Sequence, residues 1–282
     1  MLIKRIFTGL FLAVLLIGAV LYFPRPIVAL IIALLIGSGL WEFYSIVENK
    51  GFKPLKICGI VCGVALSVAA YAVACSPYIF LTDKMINFIL LIVVLFSLVK
   101  YAFKKDGTSV IVNSAVTIAG ILYVSFLFTF IIKIRFLPDV EAGRWLVLAM
   151  FIITKMSDIF AYFVGIKLGK HKLIPRISAG KSIEGSVAGV AGSVITSILL
   201  RNTLLGGMGL GYAIILGVLL SVAGQIGDLI ESLIKRDGNV KDSGTFVPGL
   251  GGILDFMDSL LFAGPVMYFF LIYLNPELLQ II

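Results

Sequence analysis

The chain has 282 residues, of which 60% are hydrophobic and only 13% are charged, and its net charge is +8. A soluble domain usually carries about 25% charged residues, so this composition excludes an ordinary water-soluble protein and indicates one covered mostly by lipid. The apolar runs are long and unbroken, which favours membrane-spanning helices over the short alternating strands of a transmembrane barrel.

Nine hydrophobic segments follow one another along the chain. They cover residues 6–23, 27–47, 57–76, 85–99, 110–132, 145–164, 186–200, 210–234 and 255–274. A helix needs about 20 apolar residues to cross a bilayer, so we predict an all-α integral membrane protein with about nine transmembrane helices. The first segment has no small-residue cleavage site before Pro24, and we interpret it as a span rather than a signal peptide.

The basic residues of the loops predict the orientation of these spans. With a cytoplasmic N-terminus, sixteen of the 23 Lys and Arg residues lie on the cytoplasmic side, six lie on the other side, and Lys155 lies within a span. Cytoplasmic loops are enriched in Lys and Arg, so the N-terminus is expected in the cytoplasm and the C-terminus outside. We expect a multi-pass protein of the cell (inner) membrane, in contact with membrane lipids. No basic run is interleaved with aromatic residues, so no nucleic-acid partner is expected.

We divide the chain into two regions. Residues 1–144 hold about five spans, and residues 145–282 hold the remaining spans with two polar loops on the predicted cytoplasmic side. The first polar loop, 165–185, carries five basic residues, and the second, 235–252, mixes Lys, Arg, Asp and Gly. Glycines let a backbone approach a ligand closely. Any chemistry is therefore expected at these loops, with an active site that faces the cytoplasm.

Acidic residues occur in the spans that flank these loops. Asp158 follows Lys155 by three residues, Asp228 lies in the eighth span, and Asp255 and Asp258 begin the ninth. An ionisable group at membrane depth costs at least about 2.5–3.5 kcal/mol and usually marks function. Carboxylates that converge from two helices form an oxygen-rich site, which suits Mg²⁺ completed by water and substrate phosphate.

Purely structural roles are the alternative for each of these residues. Asp228 with Lys235 is also consistent with a buried ion pair, and Asp255 with a cap on the ninth helix. Lys155 with Asp158 is equally consistent with a structural pair. Glu184 precedes a span, where an acid also favours the N-terminus of the helix.

A long signature extends from Ser232 to Asp258. Eleven positions match it in register: Ser232, Lys235, Arg236, Lys241, Asp242, Gly244, Pro248, Gly251, Gly252, Asp255 and Asp258. This stretch resembles the signature of the phosphatidate cytidylyltransferases, also called CDP-diacylglycerol synthases. Residues 158–165, 178–185 and 224–228 resemble further elements of the same family. Four positions depart from the family pattern: Leu250 replaces a His, Phe256 replaces an Arg, Val247 replaces the usual Leu, Ile or Phe, and Ala179 replaces a Pro.

The resemblance implies that the chain transfers the cytidylyl group of CTP to phosphatidate, giving CDP-diacylglycerol and pyrophosphate for phospholipid synthesis. It also implies Mg²⁺, a second cation such as K⁺, and a homodimer. We assign the metal to Asp228 and Asp255. The predicted catalytic residues are Asp228, Asp255, Asp258, Lys235, Lys241 and Asp242. The predicted substrate-binding residues are Ser178, Lys181, Ser182, Glu184, Ser232, Arg236 and Asp158.

Three other functions fit part of the pattern. A CTP-dependent polyprenol or dolichol kinase would transfer the γ-phosphate to a lipid alcohol, but the register of the C-terminal signature speaks against it. A membrane transporter would also use intramembrane acids, yet we find no internal repeat, and the polar motifs cluster at one face rather than at the midplane. A structural scaffold has no need for Asp228, Asp255 and Asp258 together.

Overall fold

The computed structural model describes residues 15, 17–75, 80–102, 109–137, 140–244 and 251–274. This part of the chain is mainly helical. The helices are α1 (Arg25–Asn49), α2 (Lys56–Ala74), α3 (Phe80–Ala102), α4 (Val110–Gly120), α5 (Leu127–Arg135), α6 (Val140–Leu168), α7 (Ile183–Leu200), α8 (Leu210–Asp237) and α9 (Ile253–Phe269). A π-helical segment, Ile121–Phe126, joins α4 to α5, and a second one, Phe270–Leu274, continues α9.

Seven helices within the described ranges are long and apolar enough to cross a membrane. They are Arg25–Asn49, Lys56–Ala74, Val110–Arg135, Glu141–Leu168, Ile183–Leu200, Leu210–Asp237 and Ile253–Leu274. The predicted span 85–99 corresponds to a shorter apolar helix, Asn87–Tyr101. The predicted span 6–23 lies largely outside the described residues. The prediction of an all-α integral membrane protein is confirmed, whereas the number nine and the orientation stay predictions.

The first polar loop is partly ordered into a β-hairpin. Strand β1 (Lys172–Ile174) pairs antiparallel with β2 (Ser178–Ser182). The Ser182 hydroxyl then accepts a hydrogen bond from the Gly185 amide at 3.1 Å and caps α7. A Ser at this position satisfies one of the helix-terminal amides that have no partner within the helix. The hairpin therefore leads directly into α7 and fixes where that helix begins.

The chain folds into two compact units. The first unit comprises the residues up to Phe136 together with 234–257, and the second comprises 137–233 and the residues from Asp258 onward. Helices α8 and α9 contribute residues to both units. Tyr44 is fully buried in the first unit, and its hydroxyl donates to the Thr117 carbonyl at 2.7 Å.

Small residues let helix α7 lie close to α6 in the second unit. A Cβ at Gly189 would lie 3.0 Å from the Ser157 carbonyl oxygen, and one at Gly185 would lie 2.7 Å from the Ala161 carbonyl oxygen. The Ser193 hydroxyl donates to the Ile153 carbonyl at 3.0 Å. Small and hydroxyl side chains are the usual means of bringing helices together in lipid, where burial of apolar surface between helices gives little driving force.

Candidate active site

Three carboxylates come together in the second unit. Asp228 and Glu231 lie on α8, Asp258 lies on α9, and one oxygen from each lies within 4.8 Å of the others. We call these three residues the carboxylate cluster. Glu231 is fully buried and Asp258 is 9% exposed. Gly227 allows the two helices to approach, because a Cβ at this position would overlap the Asp258 carbonyl oxygen.

Lysines lie beside this cluster. The Lys181 ammonium lies 2.6 Å from a carboxylate oxygen of Asp228, which ties strand β2 to helix α8. The Lys155 ammonium donates to the Ser259 hydroxyl at 2.9 Å and lies 3.3 Å from an oxygen of Asp158. Both lysines are largely shielded from solvent, with side chains 26% and 25% exposed. The predicted residues Lys181, Asp228 and Asp258 thus lie in one region of the second unit.

The donor set of the carboxylate cluster fits a hard divalent cation. Carboxylate oxygens are the ligands that Mg²⁺ prefers, and it binds through a few of them while keeping waters and phosphate in its remaining positions. Three carboxylates at this spacing repel one another strongly in a medium of low dielectric constant. A divalent cation would offset that repulsion more completely than Lys181 does alone. Asp228, one of the two predicted metal ligands, belongs to this cluster.

Asp255, the other predicted metal ligand, is bound by groups of the first unit. Its Oδ1 lies 2.5 Å from the Lys235 ammonium, and both side chains are nearly buried. Its Oδ2 accepts hydrogen bonds from the Ser243 amide at 2.9 Å, the Ser243 hydroxyl at 2.8 Å and the Gly252 amide at 2.7 Å. The carboxylate therefore joins the two described ends of the second polar loop, on either side of residues 245–250.

Glycine is required where the second polar loop meets α9. Gly251 has a φ of +105°, and a Cβ there would also lie 2.5 Å from an oxygen of Asp255. A residue with a side chain rarely adopts this backbone conformation. The matched Gly251 of the signature is thereby explained by backbone geometry and by the close approach of Asp255.

The other predicted residues of the second polar loop are open to solvent. Arg236, Lys241 and Asp242 are exposed, and the Arg236 guanidinium donates to the Val240 carbonyl at 3.3 Å. Ser232 is partly buried on α8, where its hydroxyl lies 3.5 Å from an oxygen of Asp228. Exposed cations of this kind are accessible to the phosphates of a ligand.

The predicted substrate-binding residues of the first polar loop differ in what they contact. Lys181 reaches Asp228, whereas Ser182 caps α7. Glu184 accepts a hydrogen bond from the His171 amide at 3.2 Å and lies 2.7 Å from the Nδ1 atom of the same residue. Ser178 begins strand β2. Lys181 is thus beside the carboxylate cluster, while Ser182 and Glu184 fasten the hairpin to α7.

Of the departures at Leu250 and Phe256, the structure describes only the second. Leu250 lies outside the described residues. Phe256 is buried in α9, at 9% exposure, so an apolar side chain occupies the position where the family signature has an Arg. An aromatic ring at this position carries no positive charge with which to bind a phosphate.

Two acids were missing from the predicted site. Glu231 follows Asp228 by three residues and completes the carboxylate cluster. Glu42 lies in the C-terminal half of the apolar helix α1, is 6% exposed, and lies 2.9 Å from the hydroxyl of Ser243 in the second polar loop. The criterion that singled out Asp228, an ionisable group inside an apolar span, applies equally to Glu42.

The fold and the site define a class: a multi-span helical membrane protein with a carboxylate cluster suited to a hard cation and with lysines beside it. The profile of the cytidylyltransferase family matches residues 3–274. The chain therefore belongs to the cytidylyltransferase family, and the prediction made from the signature is confirmed.

Named relatives are similar over most of their length. A phosphatidate cytidylyltransferase of Bacillus subtilis is 31% identical over 272 residues, covering 95% of this chain and 97% of the relative. One of Synechocystis is 30% identical, covering 88% and 89%. One of Staphylococcus aureus is 32% identical, covering 78% and 81%. The similarity extends beyond the C-terminal half, where the signature lies, into the N-terminal spans.

Proposed function

We propose that this chain transfers the cytidylyl group of CTP to phosphatidate and releases pyrophosphate, which makes it a phosphatidate cytidylyltransferase. The observation that carries the proposal is the similarity to enzymes of that name along nearly the whole chain. The carboxylate cluster and the lysines near it supply the chemistry that such a transfer needs. The product, CDP-diacylglycerol, stays in the membrane and serves phospholipid synthesis.

We assign Mg²⁺ to the carboxylate cluster, with Asp228, Glu231 and Asp258 as the residues that would hold it. When bound, Mg²⁺ would neutralise charge on the phosphate oxygens of CTP and orient them. The assignment of Asp255 to the metal stays a prediction. The contacts of its carboxylate support a different role for it, as the partner of Lys235. The second cation, such as K⁺, also stays a prediction.

The residues of this chain act by positioning and by electrostatics. The phosphate of phosphatidate is the nucleophile, and it is already ionised near neutral pH, so no general base is required. Charge spreads over the phosphoryl oxygens during such a transfer, and fixed positive groups stabilise it. Lys181 would bind CTP phosphates beside the carboxylate cluster. Lys235, together with the exposed Arg236 and Lys241, would bind phosphates of CTP or of the lipid.

The products distinguish this reaction from the kinase alternative. Purified protein in detergent should be given phosphatidate with CTP labelled in either the α- or the γ-phosphate. We expect the α label to enter the lipid and the γ label to leave as pyrophosphate. An isoprenoid alcohol offered in place of phosphatidate should give no labelled lipid. A γ label found in the lipid, with release of CDP, would overturn the proposal in favour of a lipid kinase.

We also propose the orientation that the charge distribution predicts, with nine spans in the inner membrane and the polar loops in the cytoplasm. In a background without Cys58, Cys62 and Cys75, single cysteines would be placed by Lys172→Cys and Thr203→Cys, both at exposed positions. An impermeant maleimide should label the second variant in intact spheroplasts and the first only after permeabilisation. The reverse labelling would contradict this orientation. A homodimer is expected as well, and light scattering of the purified protein would measure it.

A further inference from the structure

Glu42 makes contacts that its place in the chain does not suggest. It lies in the C-terminal half of helix α1, within an apolar span, and only 6% of its surface is exposed. Its Oε1 accepts a hydrogen bond from the Ile253 amide at 2.9 Å, and its Oε2 accepts one from the Leu254 amide at 2.8 Å. Its partners follow it by more than 200 residues. All of these residues belong to the first compact unit.

The two amides bound by Glu42 are the first two of helix α9. The first amides of a helix have no carbonyl partner within the helix, and the helix dipole makes this end favourable for a negative charge. A carboxylate from α1 therefore acts as a remote cap for α9. The buried charge of Glu42 is compensated by this cap, and the cap fixes where α9 begins relative to α1.

A single hydroxyl links Glu42 to the Asp255–Lys235 pair. The Ser243 hydroxyl lies 2.9 Å from Glu42 Oε2 and 2.8 Å from Asp255 Oδ2. A hydroxyl has one proton, so it donates to one of these carboxylates at a time and lies between them. The Asp255 carboxylate is in turn 2.5 Å from the Lys235 ammonium. A continuous chain of polar contacts thus runs from α1 to Lys235.

Two glycines of the second polar loop make room for the Glu42 carboxylate. A Cβ at Gly252 would overlap Glu42 Oε2 and the Ser243 hydroxyl, and a Cβ at Gly244 would lie 2.5 Å from Glu42 Oε1. Both glycines match the signature. The carboxylate therefore occupies space that the loop leaves for it, rather than lying against a surface that would accept any side chain.

We propose that Glu42 is a positioning residue of the enzyme: it holds Ser243 of the second polar loop and the first turn of α9 and, through Ser243, sets the position of Asp255 and Lys235. In this role Glu42 acts through Ser243 and does not itself touch a reactant. This inference rests on the proposed function, in which Lys235 and Asp255 belong to the active site. It assigns to the N-terminal spans a role in the reaction that the signature, confined to the C-terminal half, does not contain.

The test replaces Glu42 by Gln, which keeps the size of the side chain and removes the charge. The amide nitrogen of Gln would face one of the α9 amides, so one hydrogen bond is replaced by two donors that point at each other. We expect kcat for cytidylyl transfer to fall about 10- to 100-fold, as a displacement of about 1 Å does in other sites, with little change in the KM for CTP. The measurement uses full-length protein in phosphatidate-containing vesicles, with kcat expressed per folded molecule.

A matched control lies on the same helix. Glu48 pairs with Lys56 at 2.9 Å and is 42% exposed, so Glu48→Gln makes the same chemical change without touching the polar loop. We expect its kcat to equal that of the unaltered protein. A purely structural role for Glu42 predicts instead less folded protein with an unchanged kcat per folded molecule, and that result would overturn the proposal.

A second variant covers the case in which Glu42→Gln does not fold. Ser243→Ala removes the bridging hydroxyl and leaves both carboxylates in place. We expect a similar fall in kcat, and the double variant should fall no further than the larger single effect, because both changes break the same chain of contacts. An unaltered kcat in Ser243→Ala would overturn the proposal. Asp255→Asn distinguishes failure of this inference from failure of the proposed active site. If Asp255→Asn also left kcat unaltered, the assignment of the active site itself would be wrong.

Discussion

Replacement of Asp228 by Asn is expected to reduce cytidylyl transfer about 100- to 1000-fold, the scale observed when one electrostatic contact to a developing charge is lost. Asp228 supplies one of the three oxygens of the carboxylate cluster and is paired with Lys181 at 2.6 Å. The Asn side chain keeps the shape but removes the charge, so it weakens both the cation site and the hold on strand β2. Turnover should be measured at several Mg²⁺ concentrations, where higher concentrations should recover part of the loss.

Binding of Mg²⁺ gives a second readout for the same variant. A ligand that binds only the folded state raises Tm in proportion to the logarithm of its concentration above Kd. We expect Mg²⁺ to raise the Tm of the unaltered protein and to raise that of Asp228→Asn much less. Asp237→Asn is the matched control, because Asp237 forms an exposed ion pair with Lys50 at 2.5 Å. Exposed pairs contribute at most about 1 kcal/mol, so this control should keep its turnover and its Mg²⁺ response. An unchanged Mg²⁺ response in Asp228→Asn would remove the metal from this cluster.

The spans were predictable because they depend on a single physical quantity. Apolar runs of about 20 residues satisfy their backbone in lipid only as helices, so hydropathy alone predicts helices such as α1, α2 and α8. The hairpin of the first polar loop was not predictable in the same way. Strands β1 and β2 are three and five residues long, and their pairing depends on contacts with α6 and α7 that no local pattern encodes.

The individual acids of the site were predictable, whereas their partners were not. Asp228, Asp255 and Asp258 stand out in the sequence because charge is costly inside a span. Which of them share a site depends on how α8 and α9 are placed, and the close approach at Gly227 is a property of packing. Glu42 could likewise be noticed in the sequence as an acid inside an apolar span. Its contacts with residues more than 200 positions away depend on packing and could not be predicted from the sequence.

Replacement of Asp255 by Asn is expected to lower both stability and activity. The Lys235 ammonium is nearly buried at 2.5 Å from Asp255, and removal of one partner leaves an uncompensated charge. Breaking a buried pair in this way costs about 3–5 kcal/mol, so the Tm should fall clearly. The side chain of Asn also replaces one acceptor oxygen by a donor, which disrupts the bonds to Ser243 or Gly252. We expect kcat to fall at least about 100-fold, since Lys235 and the loop would both move.

A double variant separates the structural cost from the catalytic one. Asp255→Asn combined with Lys235→Met removes both charges, and such replacements are often neutral or stabilising. We expect the Tm to recover while kcat stays low, because a positive group needed for phosphate is then missing. Recovery of both Tm and kcat would show that the pair only holds the fold together.

The Mg²⁺ response of Asp255→Asn tests whether Asp255 is itself a metal ligand. Both of its oxygens already accept from Lys235, Ser243 and Gly252, so we expect Mg²⁺ still to raise the Tm of this variant. Loss of that response, in a variant that remains folded, would instead support the assignment of Asp255 to the metal. Asp237→Asn again serves as the control, since the same substitution there breaks an exposed pair with Lys50. If Mg²⁺ raises the Tm of Asp255→Asn but not that of Asp228→Asn, then Asp228 binds the cation and Asp255 holds the lysine that binds the phosphate.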